Sequence, residues 1–118
     1  MEYENAFVTR VVDGDTMETD DGQHLRYVGI DTPEREEPYY WAALQANSSL
    51  ATNKEIRLKK DVEDRDTNGR LLRYAWVGDR MINAKLVQQG YAYSHSYGPN
   101  LKYQEYFLRL AKEALEQI

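Results

Sequence analysis

Short runs of alternating apolar and polar residues, separated by turn formers, fill most of the first two thirds of the chain. Ala6 to Val12 reads as a strand rich in Val, Phe and Thr. Asp13-Gly14-Asp15 predicts a turn, and Thr16 to Thr19 resumes extended structure. Asp21-Gly22 is a hairpin signal, and His24 to Ile30 is the returning strand, carrying Leu25, Tyr27, Val28 and Ile30. Pro33 and Pro38 mark a loop.

The period then changes. Tyr39 to Asn53 reads as a helix with Trp41, Leu44 and Leu50 or Ala51 on an approximate apolar face. Glu55 to Val62 predicts a strand with Ile56, Leu58 and Val62 pointing one way. Asn68-Gly69 is a second hairpin turn, Leu71 to Val77 a further strand, and Gly78-Asp79 another turn. Ile82 to Gln89 reads as a short helix, with Asn83 as its expected cap and Gly90 as its stop. After Pro99-Asn100, Tyr103, Phe107, Leu110, Ala111, Ala114, Leu115 and Ile118 recur at steps of three and four, which predicts a last helix. The order is three strands, helix, two strands, helix, helix. This suits an α+β, mainly β fold: a five-stranded OB-fold barrel with three helices. No repeat, low-complexity tract or linker divides the 118 residues, so 1–118 is expected to form one domain.

Composition narrows the chemistry. An apolar fraction of 42% and an aromatic fraction of 12% argue for a globular chain rather than a disordered one. No apolar stretch approaches the roughly 18 residues of a membrane span, so no membrane partner is expected. The acidic, polar start Met1-Glu2-Tyr3-Glu4-Asn5 shows no signal peptide. With no cysteine, disulfides, thiolate metal sites and a cysteine nucleophile are excluded, and His24 and His95 are a poor basis for a zinc site. Twenty acids against fifteen bases give a net charge of −5, so nucleic acid would have to be held at a local site against a repulsive mean field. On that balance, binding of long DNA is expected to depend weakly on salt. Lys59-Lys60 alone is too short to form a nucleic-acid patch.

Two segments place carboxylates in turns directly after apolar runs: Val12-Asp13-Gly14-Asp15-Thr16 and Gly29-Ile30-Asp31-Thr32-Pro33-Glu34. Arg26 lies between them, and Asp66-Thr67-Asn68-Gly69-Arg70 adds a second arginine. Carboxylate oxygens bind hard cations, a further carboxylate activates water, and two guanidinium forks clamp a phosphate. Those are parts for hydrolysing a phosphodiester. Each segment alone reads more readily as an ordinary turn with Asx bonding. Tyr97 is singled out among ten tyrosines as a ligand contact, whereas Tyr91 and Tyr93 are expected to pack, and Asp13 to fix its turn or support the metal.

The stretches V-D-G-D-T at Val12 to Thr16, L-R-Y-V-G-I-D-T-P-E at Leu25 to Glu34, D-x-x-G-R at Asp66 to Arg70 and N-A-x-L-V-x-x-G-x-A at Asn83 to Ala92 occur in one order. On them the chain resembles the staphylococcal nuclease (thermonuclease) family over nearly its whole length. The resemblance implies a five-stranded OB barrel with three helices, and Ca2+-dependent endonuclease activity on DNA and RNA that leaves 3′-phosphate ends. It implies Asp15 and Asp31 as metal carboxylates, Thr32 as a carbonyl ligand, Glu34 as general base, and Arg26 and Arg70 as phosphate-binding arginines. Tyr97 matches one of two tyrosines beside the bound nucleotide, and the other falls at a one-residue gap near His95 or Ser96. Thr67 and Asn68 stand where the best-known member has lysine and tyrosine, and Glu36 and Glu37 stand in a segment that is lysine-rich there. The expected partners are DNA and RNA, preferably single-stranded or denatured, and the expected state is a monomer. The resemblance also implies a secreted or periplasmic location. The alternative is a catalytically silent OB-fold module binding nucleic acid or a protein partner; a calcium-stabilised interaction domain is a third reading.

Overall fold

The computed structural model describes residues 3–117. Its chain order is β1 (Glu4–Asp13), β2 (Thr16–Thr19), β3 (His24–Tyr27), β4 (Ile30–Asp31), α1 (Tyr40–Ala51), β5 (Glu55–Lys59), β6 (Leu71–Val77), β7 (Arg80–Met81), α2 (Ile82–Gln88), β8 (Tyr93–Ser94) and α3 (Gln104–Glu116). Antiparallel pairing runs β3-β2-β1-β5-β6, and a parallel pairing of β3 with β6, from Leu25↔Leu71 to Tyr27↔Arg73, closes the sheet into a five-stranded barrel. With three helices around it, this is the expected OB-type architecture.

Closure depends on β1 serving two neighbours. Its first half pairs with β5 (Glu4↔Leu58 to Phe7↔Glu55), and its second half pairs with β2 from Val8↔Thr19 to Asp13↔Thr16. Two register shifts, between Val8 and Arg10 and between Val11 and Asp13, bend the strand so that it can do both. The interior is filled by Val8, Met17, Leu25, Tyr27, Ile56, Leu58, Leu72 and Tyr74. Phe107 and Leu110 of α3 and Leu86 and Val87 of α2 extend the same core.

The extended run predicted over His24 to Ile30 is two strands. Gly29, at φ +86°, breaks it, and the Phe107 ring lies so close that a Cβ at 29 would stand 2.6 Å from Cε2. Only glycine combines that left-handed backbone with that contact. Ile30 and Asp31 then pair with Ser94 and Tyr93 instead of continuing in the barrel.

Other expectations shift for equally local reasons. The strand predicted to Val62 ends at Lys59, because the Val62 and Glu63 N–H groups donate to Asn100 Oδ1 at 3.1 and 3.0 Å, so the chain leaves the sheet and Val62 is exposed. The first helix begins at Tyr40, after Tyr39 at φ +70°. Its buried stripe is Tyr40, Ala43, Asn47 and Ala51, and Trp41 is 62% exposed rather than inward. Large apolar residues signal a core face from sequence, but this helix lies close against the β1–β2 turn, where alanine and asparagine fit. Asn83 does not cap α2; it is the second residue of that helix and fully buried. Its Nδ2 donates to Val28 O at 2.9 Å and Arg73 O at 3.3 Å, and its Oδ1 accepts from Ala75 N at 3.0 Å. In α3, Phe107 and Leu110 face inward, Leu115 is exposed, and Ile118 lies outside the described residues.

Candidate active site

The ends of β1 and β3 and the loops after β4 and β5 surround one open cleft of about 610 Å³. Asp15, Arg26, Asp31, Thr32, Glu34, Arg70 and Tyr97 all line it. The structure therefore brings every residue singled out from the sequence to one place.

The turn between β1 and β2 is built tightly. Asp13 Oδ1 accepts the Asp15 N–H at 3.3 Å, which fixes the turn, and Asp13 O accepts from Asn47 Nδ2 of α1 at 2.9 Å. Asn47 Oδ1 in turn accepts from the buried Tyr27 hydroxyl at 2.5 Å. Gly14 sits against the next loop: a Cβ there would lie 2.7 Å from Thr32 Oγ1 and 2.9 Å from Ala43 Cβ. That closeness places the Thr32 N–H 3.3 Å from Asp15 Oδ2, where it donates.

Asp15 is almost fully buried. Burial pushes its carboxyl up, but the Arg26 guanidinium and hydrogen bonds from its neighbours outweigh this and hold it below the usual carboxylate range. Asp13 goes the other way. Burial first, and the adjacent Asp15 second, push it up to about 6. The two acids of one turn are thus driven apart, and Asp15 is the one that holds its charge to lower pH.

Arg26 organises the charges. Its Nη1 donates to Tyr27 O and to Ile30 O, the latter at 2.8 Å. Its Nη2 lies 3.4 Å from both Asp15 Oδ2 and Asp31 Oδ1. One guanidinium therefore draws two carboxylates from different loops to the same point. Asp31 has a second partner that sequence reading missed: the Tyr93 hydroxyl donates to Oδ2 at 3.1 Å. Tyr93 is 52% exposed and holds a cleft carboxylate rather than being the packing residue expected. The β4–β8 pairing that opposes Asp31 to Tyr93 carries no short-range signal, since the two residues are far apart in the chain.

Arg70 comes from the loop between β5 and β6. Asp66 shapes that loop by accepting the Asn68 and Arg70 N–H groups on Oδ1, both at 2.9 Å, and aligns Arg70 Nε on Oδ2 at 2.7 Å. Burial raises Asp66, but these donors and the guanidinium charge prevail and lower it. Arg70 Nη1 also reaches Thr16 Oγ1 at 3.4 Å, and Thr16 Oγ1 donates to Asp15 Oδ1 at 3.1 Å, so the second arginine is linked to the first turn. Asp66 stood in a quoted motif but was not singled out as a site residue.

Glu34 is exposed at the cleft edge. Its N–H donates to Glu37 Oε1 at 2.6 Å, and no hydrogen bond or ion pair among the described residues occupies its carboxylate. Tyr97, 46% exposed, lies with its ring centre 5.7 Å from that of His95, which also lines the cleft. Among the described residues no group of three or more His, Asp or Glu side chains is arranged to hold a metal ion.

A family model described as staphylococcal nuclease homologue matches residues 24–117. The thermonuclease of Staphylococcus intermedius is 42% identical over 120 residues, covering 94% of this chain and 71% of that protein. The thermonuclease of Staphylococcus hyicus is 41% identical over 116 residues, covering 91% and 69%. A prophage-derived endonuclease of Bacillus subtilis, YokF, is 36% identical over 116 residues, covering 89% of this chain and 39% of the relative. These relatives match 89–94% of the chain that forms the cleft and its barrel, and the chain belongs to the staphylococcal nuclease family.

Proposed function

We propose that this protein is a Ca2+-dependent endonuclease that hydrolyses DNA and RNA to products ending in 3′-phosphate. The observation that carries the reading is the convergence, in one cleft, of a buried ionised Asp15, Asp31, two arginines and a Glu34 carboxylate with no partner among the described residues. The thermonuclease and endonuclease names of the relatives support it.

The donor set suits calcium, which takes six to eight oxygens in flexible geometry. Asp15, Asp31 and the Thr32 carbonyl would hold it, with water and a substrate phosphate oxygen completing a shell that two carboxylates cannot fill. The bound ion would supply positive charge to the phosphate as its charge builds up.

The chain's own groups do the rest. Arg26 and Arg70 offer planar, permanently charged forks to the non-bridging oxygens and stabilise them most when the phosphorus is five-coordinate. Glu34 takes a proton from the attacking water. The water oxygen bonds to phosphorus, the bond from phosphorus to the 5′ oxygen breaks, and that oxygen takes up a proton from solvent, so the phosphate stays on the 3′ side. Neither arginine is a suitable base, because each holds its proton too tightly.

Incubation with denatured DNA, with calcium and then with chelator, tests the reading. Fragmentation that requires calcium and leaves phosphatase-sensitive 3′ ends is expected. Binding without fragmentation would replace the enzyme with a silent nucleic-acid module.

A further inference from the structure

The structure gathers an unassigned cationic pocket beside the barrel. A concavity of about 550 Å³ is lined by Lys59 and Lys60 at the end of β5 and by Lys102 just before α3. Its carboxylates are already engaged. Glu4 Oε1 and Asp64 Oδ1 accept from the buried Arg73 guanidinium at 2.6 and 2.7 Å. Asp61 Oδ2 accepts from the Tyr74 hydroxyl at 2.6 Å and from the Lys102 N–H at 2.9 Å. The three ammonium groups have no ion pair among the described residues.

The lysines are also positioned. Lys59 Nζ stands 5.6 Å over the Tyr3 ring and Lys102 Nζ 5.6 Å over the Tyr103 ring. The closeness of Lys102 pulls Lys59 below its usual value. The lining carries four cations, Lys59, Lys60, Lys102 and Arg73, and three carboxylates, Glu4, Asp61 and Asp64, which leaves a surplus of one positive charge for a phosphate to neutralise.

The segment from 61 to 70 connects this pocket to the cleft. Asp61 and Asp64 line the first, and Asp66, Thr67, Asn68 and Arg70 line the second. OB folds engage about 4–16 nucleotides, so a chain gripped in the cleft is long enough to continue along this loop.

We infer that Lys59, Lys60 and Lys102 form a second phosphate site, which holds the backbone of a single-stranded nucleic acid a few nucleotides from the scissile bond. This rests on the nuclease reading of the cleft. It predicts a steeper salt dependence than net charge alone suggests, because residue 102 joins Lys59-Lys60 only in the folded chain.

The test is the salt dependence of binding, by fluorescence anisotropy in calcium, for a labelled dodecanucleotide and a labelled dinucleotide. A Glu34→Gln background prevents turnover. Lys59→Gln/Lys60→Gln/Lys102→Gln should lower the magnitude of the dodecanucleotide's log K versus log salt slope by about 2, at roughly 0.7 per single-strand contact. Dinucleotide binding should not change. The arginine triple variant, which keeps the charge, should retain the original slope. An unchanged dodecanucleotide slope, or an equal loss for both probes, would overturn the second site. A parent protein with native Glu34 that cleaves the dodecanucleotide would keep the cleft reading intact in either case. A parent that neither binds nor cleaves it would sink both.

Discussion

Glu34 and Arg70 make the sharpest contrast among the cleft side chains: one carboxylate has no partner among the described residues, and one guanidinium is anchored at both ends. Replacing Glu34 by Gln removes a proton acceptor without disturbing any bond of the fold. Turnover of denatured DNA should fall about 10²–10⁴-fold while the melting temperature stays unchanged. A variant within a few-fold of the parent rate would refute the role. Arg70→Lys keeps the charge but cannot hold Asp66 through Nε and still offer a fork to phosphate. A hydrogen bond to a charged group contributes about 1.5–3 kcal/mol, so kcat/KM should drop roughly 10–150-fold. Asp66 adds a pH signature. Its folded value is lowered, so its stabilisation is fully present above the ordinary 3.8 and is lost as pH falls through the lower folded value. Asp66→Asn should flatten the acid limb of stability between 3.8 and that lower folded value in urea titrations at graded pH.

At the scale of elements, the legible parts were those whose signal is local. Asp21-Gly22 and Asn68-Gly69 mark their turns because a left-handed position there suits glycine, and the strand expected over Leu71 to Val77 is β6. What misled was a residue whose role depends on a distant partner. Asn83 has the composition of a cap, yet it crosses from α2 to the middle of β6 and to the residue after β3. Asn83→Ala would leave the Ala75 N–H and the Val28 carbonyl unpaired in the core, and equilibrium unfolding should show a loss of about 1–3 kcal/mol or more. A loss under 0.5 kcal/mol would mean that water or a repacked neighbour takes over. Trp41 misled in the opposite sense: size suggested a core face, but the packing distance at the β1–β2 turn admits Ala43 and Asn47 instead.

For the whole molecule, barrel closure decides the site. The acidic turn, Arg26 and the Arg70 loop lie on strands that meet because β3 pairs in parallel with β6. The motif residues could be picked out in sequence, but their shared cleft could not be derived from spacing alone, since it depends on a pairing between segments more than forty residues apart. Tyr93 and Lys102 were illegible for the same reason: each acquires its neighbours, Asp31 and Lys59, only once the ends of the barrel have come together.

Gly14 shows how little slack that assembly leaves. A single methyl at this position would act as a wedge, prising the Thr32 loop from the floor of the cleft while leaving every formal charge in place. Gly14→Ala is thus expected to lose turnover through volume alone, and a crystal structure of the variant would show the two loops parted by the width of the intruding group.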